Sequence, residues 1–181
     1  IGARPIDLHL YGLERMGANI VLEDGYVNAT APRGLKGADI NFNTVSVGAT
    51  ENIMMAASIA DGITRINNAA LEPEIIDLAN LLSSMGAKIK GAGTSLIEIE
   101  GVSKLHGTNH TIISDRIEAG TYAVAASITG GEIELENIDW LAIENIMDKL
   151  TLTGSNIKKL ENNNLLISNN YNKIDPVDIT T

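Results

Sequence analysis

Hydrophobic and polar positions fall along this chain in short blocks whose spacing changes from helical to extended and back. Ile75, Leu78, Ala79 and Leu82 recur at intervals of three and four, which predicts a helix over Glu74 to Met85 with that face inward. Pro73 stands at its start, where a missing N–H costs nothing, and Gly86 at its end. The period then drops to two. Lys88 to Lys90 and Leu96 to Glu100 read as a hairpin around Gly91-Ala92-Gly93, with Ile97 and Ile99 on one face and Leu96 and Glu98 on the other. A strand from His110 to Ser114 and a small-residue helix from about Glu118 to Ile128 are expected next, followed by an alternating strand over Glu132 to Asn137. The Asn-rich stretch Asn162 to Asn172 reads as a hairpin turn.

These blocks repeat. Met16-Gly17 within Gly12 to Ile20 falls on Met85-Gly86 at an offset of 69 residues, and the same offset places Ala56 to Gly62 on Ala125 to Gly131 and Asn68 on Asn137. A third copy begins at Ile143 and reaches Gly154 to Ile157, at 68 residues from the second. Each unit reads as helix, strand pair, strand, helix, strand. The Ala-rich helices, Asn52 to Ala60 and Gly120 to Ile128, are apolar on nearly all sides, the mark of a helix buried all round, and Met54 and Met55 are expected in the core. The strands alternate apolar and charged residues. Together these patterns predict an α/β fold with helices inside and one sheet face in water, the reverse of a doubly wound sheet.

Composition narrows the chemistry. Thirteen Lys+Arg against 23 Asp+Glu give a formal charge of −10, which disfavours nucleic-acid binding through a general basic field. Cysteine is absent, so no disulfide, thiolate metal site or cysteine nucleophile comes from these residues. Three scattered histidines, at 9, 106 and 110, give a metal site little to start from. No metal or other cofactor is expected. No apolar run reaches the roughly 18 residues of a membrane span, and the expected location is cytoplasmic. The first residues are no signal peptide; they lack Met and suggest a piece of a longer polypeptide.

Two segments group chemically useful residues. Arg4-Pro5-Ile6-Asp7-Leu8-His9 places a guanidinium, a carboxylate and an imidazole within six positions. Pro5 could simply open a helix whose positive end Asp7 favours, or Arg4 could present its planar fork to a phosphate. Val45-Ser46-Val47-Gly48-Ala49-Thr50 follows a strand and enters a helix. It is either an ordinary cap by Ser46 or Thr50, or a turn whose free N–H groups and Gly48 admit an anion. Asp115, Arg116 and Glu118 read as a structural ion cluster at a helix start, and Glu72-Pro73-Glu74 as acids favouring a helix dipole.

Taken together, Gly2 to His9, Val45 to Asn52, Asn68 to Ile75 and Asp115 to Tyr122 resemble the UDP-N-acetylglucosamine 1-carboxyvinyltransferases, a family of enolpyruvyl transferases. The resemblance covers essentially the whole chain. It implies six βαβαββ units in two inside-out α/β barrels, with 1–114 belonging to the first domain and 115–181 starting the second. It also implies two substrates, phosphoenolpyruvate and UDP-N-acetylglucosamine, the sugar's 3′-hydroxyl receiving the enolpyruvyl group. Arg4 matches the family's phosphoenolpyruvate-binding arginine and is the expected catalytic residue. Pro5, Asp7, Leu8 and His9 match the uridine pocket, Val45, Ser46 and Gly48 the diphosphate loop, and Arg116 a further substrate contact. Thr44 departs from the pattern, a lysine being common there. The family's reactive cysteine or aspartate would precede Ile1 and its catalytic aspartate would follow Thr181, so the segment by itself is expected to be inactive. The sister 5-enolpyruvylshikimate-3-phosphate synthases and a non-catalytic repeat module are the competing readings. Apolar faces left uncovered by an incomplete unit would favour self-association.

Overall fold

A computed structural model describes residues 5–169 and 174–179. The chain divides into two compact units, Ile1–Thr111 and Ile112–Thr181. In the first, α1 (Asp7–Arg15) leads to the hairpin β1 (Asn19–Glu23) and β2 (Tyr26–Thr30). Then follow β3 (Asp39–Asn41), α2 (Val47–Ala57), β4 (Ile63–Asn67), α3 (Pro73–Ser84), β5 (Lys88–Lys90) and β6 (Leu96–Glu100). The second contains α4 (Arg116–Thr129), β7 (Glu132–Leu135), α5 (Trp140–Leu152), β8 (Asn156–Lys159), a short 3-10 turn and β9 (Leu165–Ser168).

The stretch from β3 to β6 forms a βαβαββ unit. Its four strands lie in the order β3-β4-β6-β5, with β3 parallel to β4 and the other pairs antiparallel. The register places Ile40 beside Ile66 and Ile66 beside Ile97. That inner face, with Ile99, is fully buried against α2 and α3 along with Ile53, Met54 and Ile75. Arg65, Asp39, Glu98, Lys88 and Glu100 occupy the outer face, where Arg65 pairs with Glu98 at 3.0 Å and Lys88 pairs with Glu100. Such exposed pairs contribute little stability. Their effect is to fix which face meets water.

The second unit repeats the order. Its sheet runs β7-β9-β8, matching β4-β6-β5, and among the described residues only the leading strand has no counterpart. Ile143, Met147 and Ile167 close its core. The loop ends also agree: Gly17, Gly86 and Gly154 follow the helices with φ of 95°, 102° and 95°. The residue after each glycine, Ala18, Ala87 or Ser155, donates its N–H to Leu13, Leu82 or Leu150 in the last helical turn. A residue with a β-carbon resists that left-handed backbone, which explains why the sequence repeats Gly at this spacing. Among the described residues none of the three sheets closes into a barrel.

Four expectations need correction. The helix expected from Asn52 starts at Val47, because Ser46 caps it in an extended conformation, and it ends at Ala57. His110 to Ser114 forms no strand; this segment is held by His106 N–H on the Met85 carbonyl and by the His110 side chain on Asp77 rather than by a ladder. Met54 is buried but Met55 is 48 % exposed, and α4 buries the Ala119, Gly120, Ala123, Ala126 and Ser127 stripe while Tyr122, Val124 and Ile128 face out. An apolar sequence permits burial on all sides but does not supply the neighbours. Finally, the Asn-rich stretch turns only at Glu161–Asn163, with Asn162 and Asn163 left-handed; Leu165–Ser168 is strand, and Asn170 to Asn172 lie outside the described residues.

Candidate functional site

The first unit brings the starts of α1 and α2 side by side. Gly12 is the reason they approach closely: a β-carbon there would lie 2.5 Å from Ile53 Cδ1 of α2. Helices in such contact align their ends. Two sets of first-turn N–H groups therefore open toward the same neighbourhood, at the carboxyl end of the parallel strand β3. Free N–H groups and a positive dipole end attract anions there.

At the start of α2, Ser46 Oγ accepts from Ala49 N–H at 3.3 Å, and the Ser46 carbonyl accepts from Thr50 Oγ1 at 2.8 Å. Thr50 Oγ1 in turn accepts from Ala70 N–H at 3.1 Å, tying the buried turn to the segment before α3. The capping reading of Ser46 is thus satisfied. It leaves the amides of Val47 and Gly48 without an intrahelical acceptor. Val45, half exposed, precedes the cap.

Pro5, just before α1, and Asp7, its first residue, are exposed, while Leu8 and His9 are partly buried. His9 turns toward α2. Its Nδ1 lies 3.2 Å from Asn52 Nδ2, and a β-carbon on Gly48 would sit 3.4 Å from the ring's Cε1 and 3.5 Å from its Nε2. Gly48 has no left-handed backbone, so its lack of a side chain leaves the ring edge and the helix start open rather than relieving strain. Beside this pair, Asp7, Leu8, Tyr11, Asn41 and Asn43 line a cleft of about 370 Å³.

The two segments singled out in the sequence, Pro5 to His9 and Val45 to Gly48, therefore meet in one place. Arg4 lies outside the described residues. Arg116 is the first residue of α4 in the second unit, where it has an interaction partner, and Asp115 before it caps the helix by accepting from Ile117 N–H at 2.8 Å and Glu118 N–H at 3.1 Å. Sequence reasoning gave no role to Asn52, Tyr11, Asn41 or Asn43. Asn52 carried a usable signal, since it stands four residues after Gly48 and so on the same face of α2.

Burial, and after it the nearby Glu74 carboxylate, push the Glu51 carboxyl above its ordinary value of 4.5. Glu51 is a neighbour of the pair on α2. No cluster of three or more metal-ligating side chains occurs among the described residues, and no described helix is long and apolar enough to cross a membrane.

The family described as EPSP synthase (3-phosphoshikimate 1-carboxyvinyltransferase) matches residues 1–181. The chain is 52 % identical over all 181 residues to a UDP-N-acetylglucosamine 1-carboxyvinyltransferase of Caulobacter sp. (strain K31), of which it spans 42 %. It is 53 % identical to UDP-N-acetylglucosamine 1-carboxyvinyltransferase 2 of Carboxydothermus hydrogenoformans, spanning 43 % of that protein. Among solved structures, the enolpyruvyl transferase NikO from Streptomyces tendae aligns with a TM-score of 0.80 at 22 % identity, over 98 % of this chain and 45 % of that one. EPSP synthase from Acinetobacter baumannii aligns with a TM-score of 0.64 at 26 % identity, over 92 % of this chain and 40 % of that one. With the family matched along its full length, and a βαβαββ unit at its centre, the chain belongs to the EPSP synthase family of enolpyruvyl transferases.

Proposed function

We propose that this chain is the nucleotide-sugar-holding part of an enzyme that transfers the enolpyruvyl group of phosphoenolpyruvate to the 3′-hydroxyl of UDP-N-acetylglucosamine, the committing step toward peptidoglycan. The observation that carries this reading is the meeting of Pro5–His9 with the α2 start at Ser46 and Gly48. In relatives 52 % identical, enzymes of that name span the same segments. Asp7 and the adjoining cleft hold the uridine, and the Val47 and Gly48 amides hold the diphosphate. Arg4 neutralises the phosphate of phosphoenolpyruvate. The sugar hydroxyl adds to C2 of phosphoenolpyruvate while C3 gains a proton; C3 then loses a proton as inorganic phosphate leaves.

In the intact protein the units complete inside-out barrels, 1–114 in the first domain and 115–181 opening the second. The exposed apolar face of α4, with Ile117, Tyr122, Val124 and Ile128, supports this, because further units would cover it. The family description names the shikimate enzyme, which gives a second reading its footing. Identity of 26 % to such an enzyme against 52 % to the nucleotide-sugar enzymes favours the first. The test uses the full-length protein: Asp7→Ala should raise KM for UDP-N-acetylglucosamine at nearly unchanged kcat, and Gly48→Val should weaken that substrate more than Ser46→Ala. Unchanged KM in both Asp7→Ala and Gly48→Val would remove the nucleotide from this site.

A further inference from the structure

The pairing of His9 with Asn52 goes one step beyond the nucleotide reading and rests on it. Asn52 Nδ2 faces His9 Nδ1 at 3.2 Å. An amide NH₂ can only donate, so Nδ1 must accept, and the neutral ring then carries its proton on Nε2. The opposite ring edge lies over Gly48, with Nε2 3.5 Å from where a β-carbon would stand. No other described residue bonds Nε2. The ring is therefore oriented by one turn of α2 and offers a donor at the preceding turn.

We propose that Asn52 is a positioning residue: it fixes His9 in the tautomer whose Nε2–H donates to an oxygen of the nucleotide diphosphate seated at the start of α2. The Val47 and Gly48 amides and the His9 ring then converge on one anionic group from two helices. A single helix start grips a phosphate from one side, whereas a donor brought from α1 across Gly48 makes the grip depend on the spacing of α1 and α2. A side chain larger than Gly at 48 would come between the ring and the ligand. This accounts for a glycine at a position where the backbone does not demand one.

The experiment reads the ring directly. Histidine labelled with ¹⁵N is observed at about pH 8, with His9 assigned by loss of its signals in His9→Gln. The unmodified protein should show a bare Nδ1 and a protonated Nε2. Asn52→Asp, nearly isosteric, replaces the donor with an acceptor and should move the proton to Nδ1. Uridine diphosphate is then titrated into the protein, Asn52→Leu, His9→Ala and the double variant. Each single change should weaken binding by about tenfold, the scale of a lost charge-assisted hydrogen bond, and the double should lose no more than His9→Ala alone. A proton found on Nδ1 in the unmodified protein, or additive losses in the double variant, overturns the positioning role. Equal affinity of the unmodified protein and Asn52→Leu overturns it as well, while leaving the nucleotide site standing. Failure of uridine diphosphate to bind the unmodified protein overturns the nucleotide reading and this inference together.

Discussion

Gly12 of α1 lies so close to Ile53 of α2 that a β-carbon on Gly12 would fall 2.5 Å from Ile53 Cδ1 and 2.7 Å from its Cγ1. Gly12 is buried and Ile53 is wholly inaccessible, so neither an added β-carbon at 12 nor the Ile53 side chain can retreat into solvent. The contact sets how near the two helix starts come. Gly12→Val should destabilise the first unit by about 1–3 kcal/mol through overpacking. Gly12→Ala combined with Ile53→Val should recover part of the loss, a coupling that urea unfolding of the two single variants and the double would measure. Simple additivity would mean that the two residues do not set the spacing.

Glu51 gives the fold a pH dependence of definite sign. Its folded carboxyl titrates above the ordinary 4.5, first because it is partly buried and second because Glu74 is near. The folded state therefore binds more protons than the unfolded chain in that window, and this group's contribution to stability declines as pH rises from about 4.5 through the raised value. Glu51→Gln should raise Tm at neutral pH, and the gain should fade as pH drops well below 4.5, where the carboxyl is protonated in both folded and unfolded states. Melting curves of both proteins across that range check it; a gap that widens toward acid would reverse the sign.

His110 Nε2 and Asp77 Oδ1 meet at 2.9 Å, with both side chains largely covered. This pair fastens the irregular segment after β6 to α3. His110→Ala or Asp77→Ala should cost about 1 kcal/mol or somewhat more. The loss should be local, appearing as faster amide exchange over 102–111 with little change in β4 and β6. Uniform acceleration through the sheet would show that the pair supports the whole unit instead.

How much of this was legible in the sequence depends on the range of the interactions involved. The hairpin of β5 and β6 and the glycine stop at Gly86 follow from residues within a few positions of each other, and the structure has them where the pattern predicts. The repeat was legible as well, down to Asn68 and Asn137, which lie 69 residues apart and share a left-handed backbone with φ of 57° and 54°. Asn tolerates that conformation better than most residues. The start of α2 was placed late because small apolar residues from Asn52 onward dominate the pattern, whereas the boundary is set by the Ser46 cap. The true state of His110 to Ser114 was hidden because the β-branched run Thr111-Ile112-Ile113 resembles a strand while the side chain of His110 serves a partner 33 residues away. Asn52 was passed over for the same reason, since its partner His9 is 43 residues distant. Local chemistry is written in local sequence; a pair joined only by folding is not.

The 181-residue chain assayed alone should release no phosphate from phosphoenolpyruvate. Proton delivery to C3, a base for the sugar hydroxyl and several cations around one phosphate must act together, and of these the proposed reading places Arg4 on this chain. In the full-length protein Arg4→Ala should lower kcat/KM for phosphoenolpyruvate by about 2 kcal/mol or more of transition-state stabilisation. Phosphate release by the chain above a buffer blank, abolished by Arg4→Ala, would mean that the reacting groups are closer to hand than proposed.

The most direct test of a nucleotide-sugar site at the starts of α1 and α2 is amide chemical-shift mapping of this chain with two ligands in parallel, UDP-N-acetylglucosamine and shikimate 3-phosphate. The expected result is that UDP-N-acetylglucosamine moves the amides of Asp7, Leu8, His9, Val47 and Gly48, whereas shikimate 3-phosphate leaves them in place. Movement of these amides by shikimate 3-phosphate, with UDP-N-acetylglucosamine having no effect on them, would contradict it.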